Sequence, residues 1–139
     1  MNRIGEFLPQ LAIRVLLAYE FWESGVEKFR GENWFADIQD DFPFPLDLVP
    51  ADISWFLATW SELLGAAALL IGLGTRLFSA ALMILTLVAW ISVHAGLGYN
   101  VCDNGFKLPL MYLVLFLPLL LSGPGRLSID HLIARRCAA

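Results

Sequence analysis

Residues 7–29, FLPQLAIRVLLAYEFWESGVEKF, place the tightest constraint on what this chain can fold into. The stretch is long enough to cross a bilayer, which takes ~20 residues rising 1.5 Å each. It also carries Arg14, Glu20, Glu23, Glu27 and Lys28. On the insertion scale each Leu, Ile, Phe or Val returns roughly 0.3–0.6 kcal/mol, whereas a central charge costs about 2.5–3.5 kcal/mol. The apolar residues therefore about cancel Arg14 and Glu20 and leave little surplus. Such a helix needs neighbours that accept its charges, and charges at membrane depth mark candidate functional groups.

Composition extends this constraint to the whole chain. The 139 residues are 58% hydrophobic and 16% charged, against about 45–50% and 25% in soluble domains. With a mean hydropathy of +0.68, the chain reads as an integral membrane protein forming one compact domain over residues 1–139. A net charge of −4, with no basic stripe and no zinc-finger spacing, argues against nucleic acid as a partner. The first apolar run is broken by charges and lacks an A-x-A-like cleavage site, so it is expected to be kept as a spanning helix.

The sequence predicts an all-α fold: an antiparallel bundle of four transmembrane helices over about 7–29, 53–74, 77–97 and 106–121. The fourth stretch reaches only ~24 Å and is expected to run on toward Ser122. Asn104 is the expected cap of that helix, Pro109 suits its first turn, and Pro118 should kink it. Gly74-Thr75-Arg76 reads as a tight turn, which makes the second and third helices antiparallel neighbours. Ser61 with Gly65, and Ala68 with Gly72, space small residues four apart on the second helix, which permits close helix approach. After Ser122-Gly-Pro-Gly, residues 127–136 read as a short amphipathic helix capped by Ser128, with Leu132 and Ile133 toward lipid and Arg135 and Arg136 at the headgroups.

Basic residues near the helix ends set the expected orientation. Arg3, Arg76, Arg126, Arg135 and Arg136 fall on one side, and Lys28, Arg30 and Lys107 on the other, which favours both termini inside. The longest connection, 30–52, then faces outside. Its Trp34, Phe35, Phe42, Phe44 and PFPLDLVP run can lie on the headgroups or fold over the bundle.

Counting residues gives heights for the polar groups. Glu20 and Glu62 both fall ~18 Å above the inner surface and Arg14 ~9 Å above it. An interior cluster of Arg14, Glu20 and Glu62 is therefore expected. Two carboxylates beside one cation do not all ionise comfortably in a low dielectric, which suits proton exchange. Glu20, Glu23 and Glu27 form one stripe toward the outer surface. His94, ~26 Å up the third helix, meets that stripe at its top. Asn100, Cys102, Asp103, Asn104 and Lys107 follow in the adjacent loop. The expected working site is an outward-facing pocket of Glu23, Glu27, His94, Asn100 and Asp103.

Other chemistries fit poorly. His94 and His131 fall on opposite sides in this topology and cannot share a haem; Cys102 and Cys137 are likewise separated, against a disulfide. No CxxC, nucleotide-binding loop, HExxH or nucleophile elbow occurs. Cys102 and His94 suit copper as ligand types, but two ligands are too few for a site.

The pattern resembles the DoxX family of small four-helix membrane proteins. The resemblance is carried by Arg14, Phe21, Gly25 and Lys28 in the first helix, Glu62 with Gly72 and Arg76 of LLIGLGTR in the second, and Gly125 and Asp130 of GPGRLSID after the fourth. Residues 90–112 look most like the branch associated with copper-binding peptide maturation. The resemblance implies a four-helix bundle in the cytoplasmic membrane and a link to quinone-dependent redox chemistry, some relatives being subunits of thiosulfate:quinone oxidoreductase. It assigns no catalytic residue, and the chain carries no recognisable resident redox centre. The expected function is a redox-linked accessory subunit, quinone being its candidate cofactor, that serves a membrane or periplasmic protein or peptide at the outer face. A non-enzymatic anchor in peptide maturation or metal stress, and a proton or small-molecule pathway, are the competing expectations.

Overall fold

The computed structural model describes residues 3–139, and no strand occurs among them. Helix α1 runs Leu8–Arg30, α2 Ala51–Ile71, α3 Thr75–Ala89, α4 Lys107–Ser122 and α5 Ile129–Ala138. The chain from Thr75 does not stop at Ala89 but widens into a π turn, Trp90–His94. Segments 51–71 and 75–94 are each long and apolar enough to cross a membrane. Helix α1 has the length but carries its charges; α4 is apolar but has 16 residues.

Long helices α1 to α4 form a closed ring in chain order, α4 returning to α1. Each neighbour runs antiparallel. On the α1–α2 seam Arg14 reaches Leu69 and Leu70, while Lys28 near the other end reaches Glu62. The register is set by Gly25, where a Cβ would stand 2.9 Å from Leu63 and 3.2 Å from Glu62. Gly65 performs the same service toward Leu82 of α3. The core is narrow: Leu17, Phe21, Leu69, Leu82, Phe116 and Leu119, with the Phe21 ring 5.4 Å from Phe116 and 5.5 Å from Tyr112. Outward-facing apolar side chains recur on all four helices, among them Trp22, Phe56, Leu64, Ile84, Ile91, Val114 and Leu121. Such a surface suits an apolar surrounding medium.

The connection after α1 folds over the bundle. Its 3₁₀ turns Phe35–Asp41 and Leu46–Leu48 bury Phe35 and Phe42 against Ala58, with Trp55 edge-on to Phe35 at 5.0 Å.

Several local expectations change. The second helix ends at Ile71, because Gly72 takes the left-handed conformation (φ 74°) and closes the C-terminus. Asn104 does not cap α4: it is left-handed itself (φ 59°), and Phe106 precedes the first turn without a side-chain cap. The third helix ends at His94 rather than residue 97. Ser128 does cap α5, its hydroxyl accepting from the His131 amide at 3.1 Å.

Candidate functional site

The expected Arg14–Glu20–Glu62 cluster does not form. Arg14 is 1% exposed, yet its guanidinium donates to backbone carbonyls: Nε to Leu69 at 2.8 Å, Nη2 to Leu70 at 2.9 Å, and Nη1 to Pro124 and Leu127. The Leu69 and Leu70 carbonyls lie in the last turn of α2, at its negative end, and those of Pro124 and Leu127 in the non-helical segment before α5. Residue counting from helix ends failed because it assumed that α1 starts and α2 ends at one depth. The Gly25 contact shifts their register, bringing Glu62 beside Gly25 and leaving Arg14 level with the end of α2.

The partner of Glu62 is Lys28. The ammonium lies 3.2 and 3.1 Å from the two carboxylate oxygens and 2.9 Å from the Ser24 hydroxyl. The side chains are 16% and 6% exposed. Glu20 lies elsewhere in the same region and accepts from the Tyr112 hydroxyl of α4 at 2.8 Å.

Two hollows meet at the Lys28–Glu62 pair. One is a polar cleft of about 460 Å³ lined by Glu20, Glu23, Glu27, Thr86, His94 and Tyr112. The other is a mostly apolar pocket of about 290 Å³ under the 30–52 connection, walled by Phe35, Ile38, Phe42, Leu57, Ile84 and Val88. Lys28, Trp34, Glu62, Leu85, Ala89 and Val93 line both. The ion pair is thus reached from an acidic side and from a mostly apolar side.

Of the expected outer pocket, Glu23, Glu27 and His94 line the polar cleft. His94 Nδ1 is 2.7 Å from the Asn104 carbonyl. A carbonyl only accepts, so Nδ1 carries the proton and Nε2 of the neutral ring is left as an acceptor. Asn100 and Asp103 are not among the lining residues. The Asn100 side chain turns back to accept from the Cys102 amide at 3.1 Å, and Asp103 is exposed in the short turn Val101–Asp103. Asn104 and Gly105 take their place at the rim. Cys102 is an exposed free thiol, and no three His, Cys, Asp or Glu side chains gather as a metal cluster among the described residues.

The remaining motif residues build one junction. Asp130 accepts from the amides of Gly74 and Thr75 at 2.8 and 2.9 Å, capping the start of α3 from α5. The Asp130 amide donates to the Gly72 carbonyl at 3.0 Å. A side chain on Gly72 would collide with Ser128 and Arg14. Gly125 packs on Gln10, and Arg76 reaches the Leu121 carbonyl at 3.3 Å. Arg14, Gly72, Ser128 and Asp130 therefore latch both ends of the chain to the α2–α3 turn.

Comparison with known proteins agrees with the resemblance drawn from these motifs. Residues 10–95, more than half of the chain, match the DoxX family model. The chain belongs to the DoxX family. Membership marks it as a membrane protein. It is similar to an uncharacterized protein of Haemophilus influenzae, 53% identical over 97% of this chain and 89% of that protein. A second uncharacterized protein of the same organism is 28% identical over 94% of this chain and 96% of its own length. No solved structure matches the chain significantly. The family match ends one residue beyond His94, so it takes in the α1–α2–α3 side of both hollows but not Tyr112.

Sequence reasoning named Lys28 and Glu62 singly and missed that they pair. The signal was available in Gly25: a glycine one turn before the last lysine of a long helix marks a backbone approach. Nothing in the sequence signalled Tyr112 or the π turn that carries His94.

Proposed function

We infer that this DoxX protein is a redox-linked accessory subunit of the bacterial inner membrane. In this reading α1–α4 each span the bilayer, both termini lie inside, and residues 1–139 form one domain. The subunit couples a lipid-borne carrier of the quinone class to a protein or peptide partner at the outer face. The observation that carries the reading is the Lys28–Glu62 pair, held where an apolar pocket and a polar cleft share a wall. Burying such a pair costs several kcal/mol per ion before pairing repays it, and charges at membrane depth mark ion and substrate pathways.

A quinone-class carrier, when bound, would accept two electrons from the partner and two protons on its reduction. The residues suit that chemistry: a hydrophobic seat on one side of the pair, and exchangeable groups on the other. Glu23, Glu27 and the Nε2 acceptor of His94 lead inward along the cleft, and the Tyr112 hydroxyl is hydrogen-bonded to Glu20 deeper in. The Lys28 ammonium is the donor nearest the shared wall. Residues 90–112, which resemble the copper-binding peptide maturation branch, supply His94 and the rim of the cleft, so a peptide partner would dock beside the acidic stripe.

Complementation of a deletion strain tests the reading. His94→Ala and Glu23→Gln should abolish function while expression and folding persist, and Arg135→Ala should not. Full complementation by both cleft variants would make the cleft structural and leave the non-enzymatic anchor as the better account.

A further inference from the structure

Charge is segregated along the bundle. The end that holds the α2–α3 turn carries Arg3, Arg14, Arg76, Arg126, Arg135 and Arg136, against Glu6 and Asp130. The rest of the chain carries only Lys28, Arg30 and Lys107 against eleven Asp and Glu residues. At the basic end lies an open hollow of about 520 Å³, bounded by the first turn of α1, the start of α3, the 122–126 turn and α5. Arg76, Arg126 and His131 line it together with Glu6 and Asp130.

Both acids are engaged. Glu6 pairs with Arg126 at 2.6 Å, and the Asp130 oxygens accept from the Gly74 and Thr75 amides. Arg76 meets no carboxylate among the described residues. Its Nη2 donates to the Leu121 carbonyl at 3.3 Å, which leaves most of the five N–H donors of an exposed guanidinium to spare. That contact holds it over the end of α4, beside Gly123, where a Cβ would stand 3.6 Å from the Arg76 Nε.

Hydrocarbon flanks the same guanidinium. Leu77, next to it on α3, and Leu121, at the end of α4, are each 72% exposed. Segment 75–94 is long and apolar enough to cross a membrane, so its first turn stands where acyl chains give way to headgroups. A free anion would use the guanidinium and leave both leucines facing water. An anionic lipid uses all three, its phosphodiester accepting from the planar fork and its chains covering the leucines. A zwitterionic lipid brings its own cation to an end already rich in arginine.

We propose that the hollow beside Arg76 seats an anionic phospholipid, with the phosphodiester on the Arg76 guanidinium and the acyl chains along Leu77 and Leu121. Arg126 and His131 line the room left for the rest of the headgroup. The inference needs the membrane character that the family shows and nothing of the quinone reading. Asp130, which belongs to the latch at the α2–α3 turn, lines the seat, so a bound lipid should also steady that junction.

Native mass spectrometry of the delipidated full chain in a neutral detergent tests it. The probes are dioleoyl phosphatidylglycerol, dioleoyl phosphatidylcholine and glycerophosphoglycerol, the deacylated headgroup. Phosphatidylglycerol should bind at least about fivefold more tightly than phosphatidylcholine. The headgroup alone should bind at least about tenfold more weakly than its lipid, because the leucines contribute nothing to it. Arg76→Gln, whose carboxamide can still reach the Leu121 carbonyl, should erase the preference for phosphatidylglycerol, whereas Arg135→Gln and Arg30→Gln should keep it. In the wild-type chain, phosphatidylglycerol with a diazirine high on one acyl chain should label segments 76–77 and 121–127. That measurement needs no variant to fold. A preference that survives Arg76→Gln, or labelling confined to other segments, overturns the seat. Equal losses in Arg76→Gln and Arg135→Gln replace it with diffuse attraction to the basic end. Headgroup binding as tight as lipid binding replaces it with a free phosphodiester site.

Discussion

Lys28 of α1 and Glu62 of α2 form an ion pair at 3.1 Å, with side chains 16% and 6% exposed, at the wall shared by a polar cleft and an apolar pocket. A pair in that position is defined by what happens when it is broken. Glu62→Gln strands the ammonium and Lys28→Met strands the carboxylate. Each should cost about 3–5 kcal/mol where burial is complete, and less if water or snorkelling relieves it. Lys28→Met/Glu62→Met, which removes both charges, should recover most of the loss. Unfolding titrations in mixed micelles measure all three. A double variant as unstable as the sum of the singles would contradict the pairing.

Arg14 makes a separate prediction. Its guanidinium holds backbone carbonyls and no carboxylate. Arg14→Leu leaves several buried acceptors unpaired at about 1–3 kcal/mol each, so a loss of at least ~3 kcal/mol is expected. Neutralising Glu20 or Glu62 in the same chain should not rescue it. With no shared partner the effects should add to within about 0.5 kcal/mol. Rescue by Glu62→Gln would restore the charge cluster that the side-chain geometry excludes.

Asp130 caps α3 through two amides although it belongs to α5. Asp130→Ala should cost about 1–2 kcal/mol, at the upper end of capping effects. It should also raise hydrogen exchange at Gly74 and Thr75. Unchanged exchange there would show that the cap is dispensable.

Topology is read from the two cysteines, both exposed and unpaired. If, as proposed, both termini lie inside and four helices span, a membrane-impermeant thiol reagent applied to intact spheroplasts should modify Cys102 and spare Cys137. Labelling of Cys137 alone would invert the orientation.

What the sequence disclosed and what it hid follow one division. Periodic and compositional signals were legible: the four apolar stretches, the small-residue seam at Gly65, the Ser128 cap and the α2–α3 turn. Register was not. Whether Arg14 or Lys28 meets Glu62 depends on how far one helix slides along another, and helix ends carry no information on that. Glu23, Glu27 and His94 line one cleft, as a helical stripe and a helix end that point the same way suggested. Asn100 and Asp103 were misplaced because loop side chains answer to local bonds, as Asn100 does with the Cys102 amide. The junction of Arg14, Gly72, Ser128 and Asp130 shows why family motifs mislead as site predictors. Most of those residues hold the chain together, and only Lys28 and Glu62 reach the shared wall.

The most direct measurement is the quinone content of protein extracted with its native lipids. Wild-type protein and Arg135→Ala should carry quinone above its proportion in the surrounding lipid. Lys28→Met/Glu62→Met, which should remain folded, should fall to that proportion. Quinone at the bulk-lipid level in wild type, or enrichment that survives loss of the pair, would contradict a carrier site at Lys28 and Glu62.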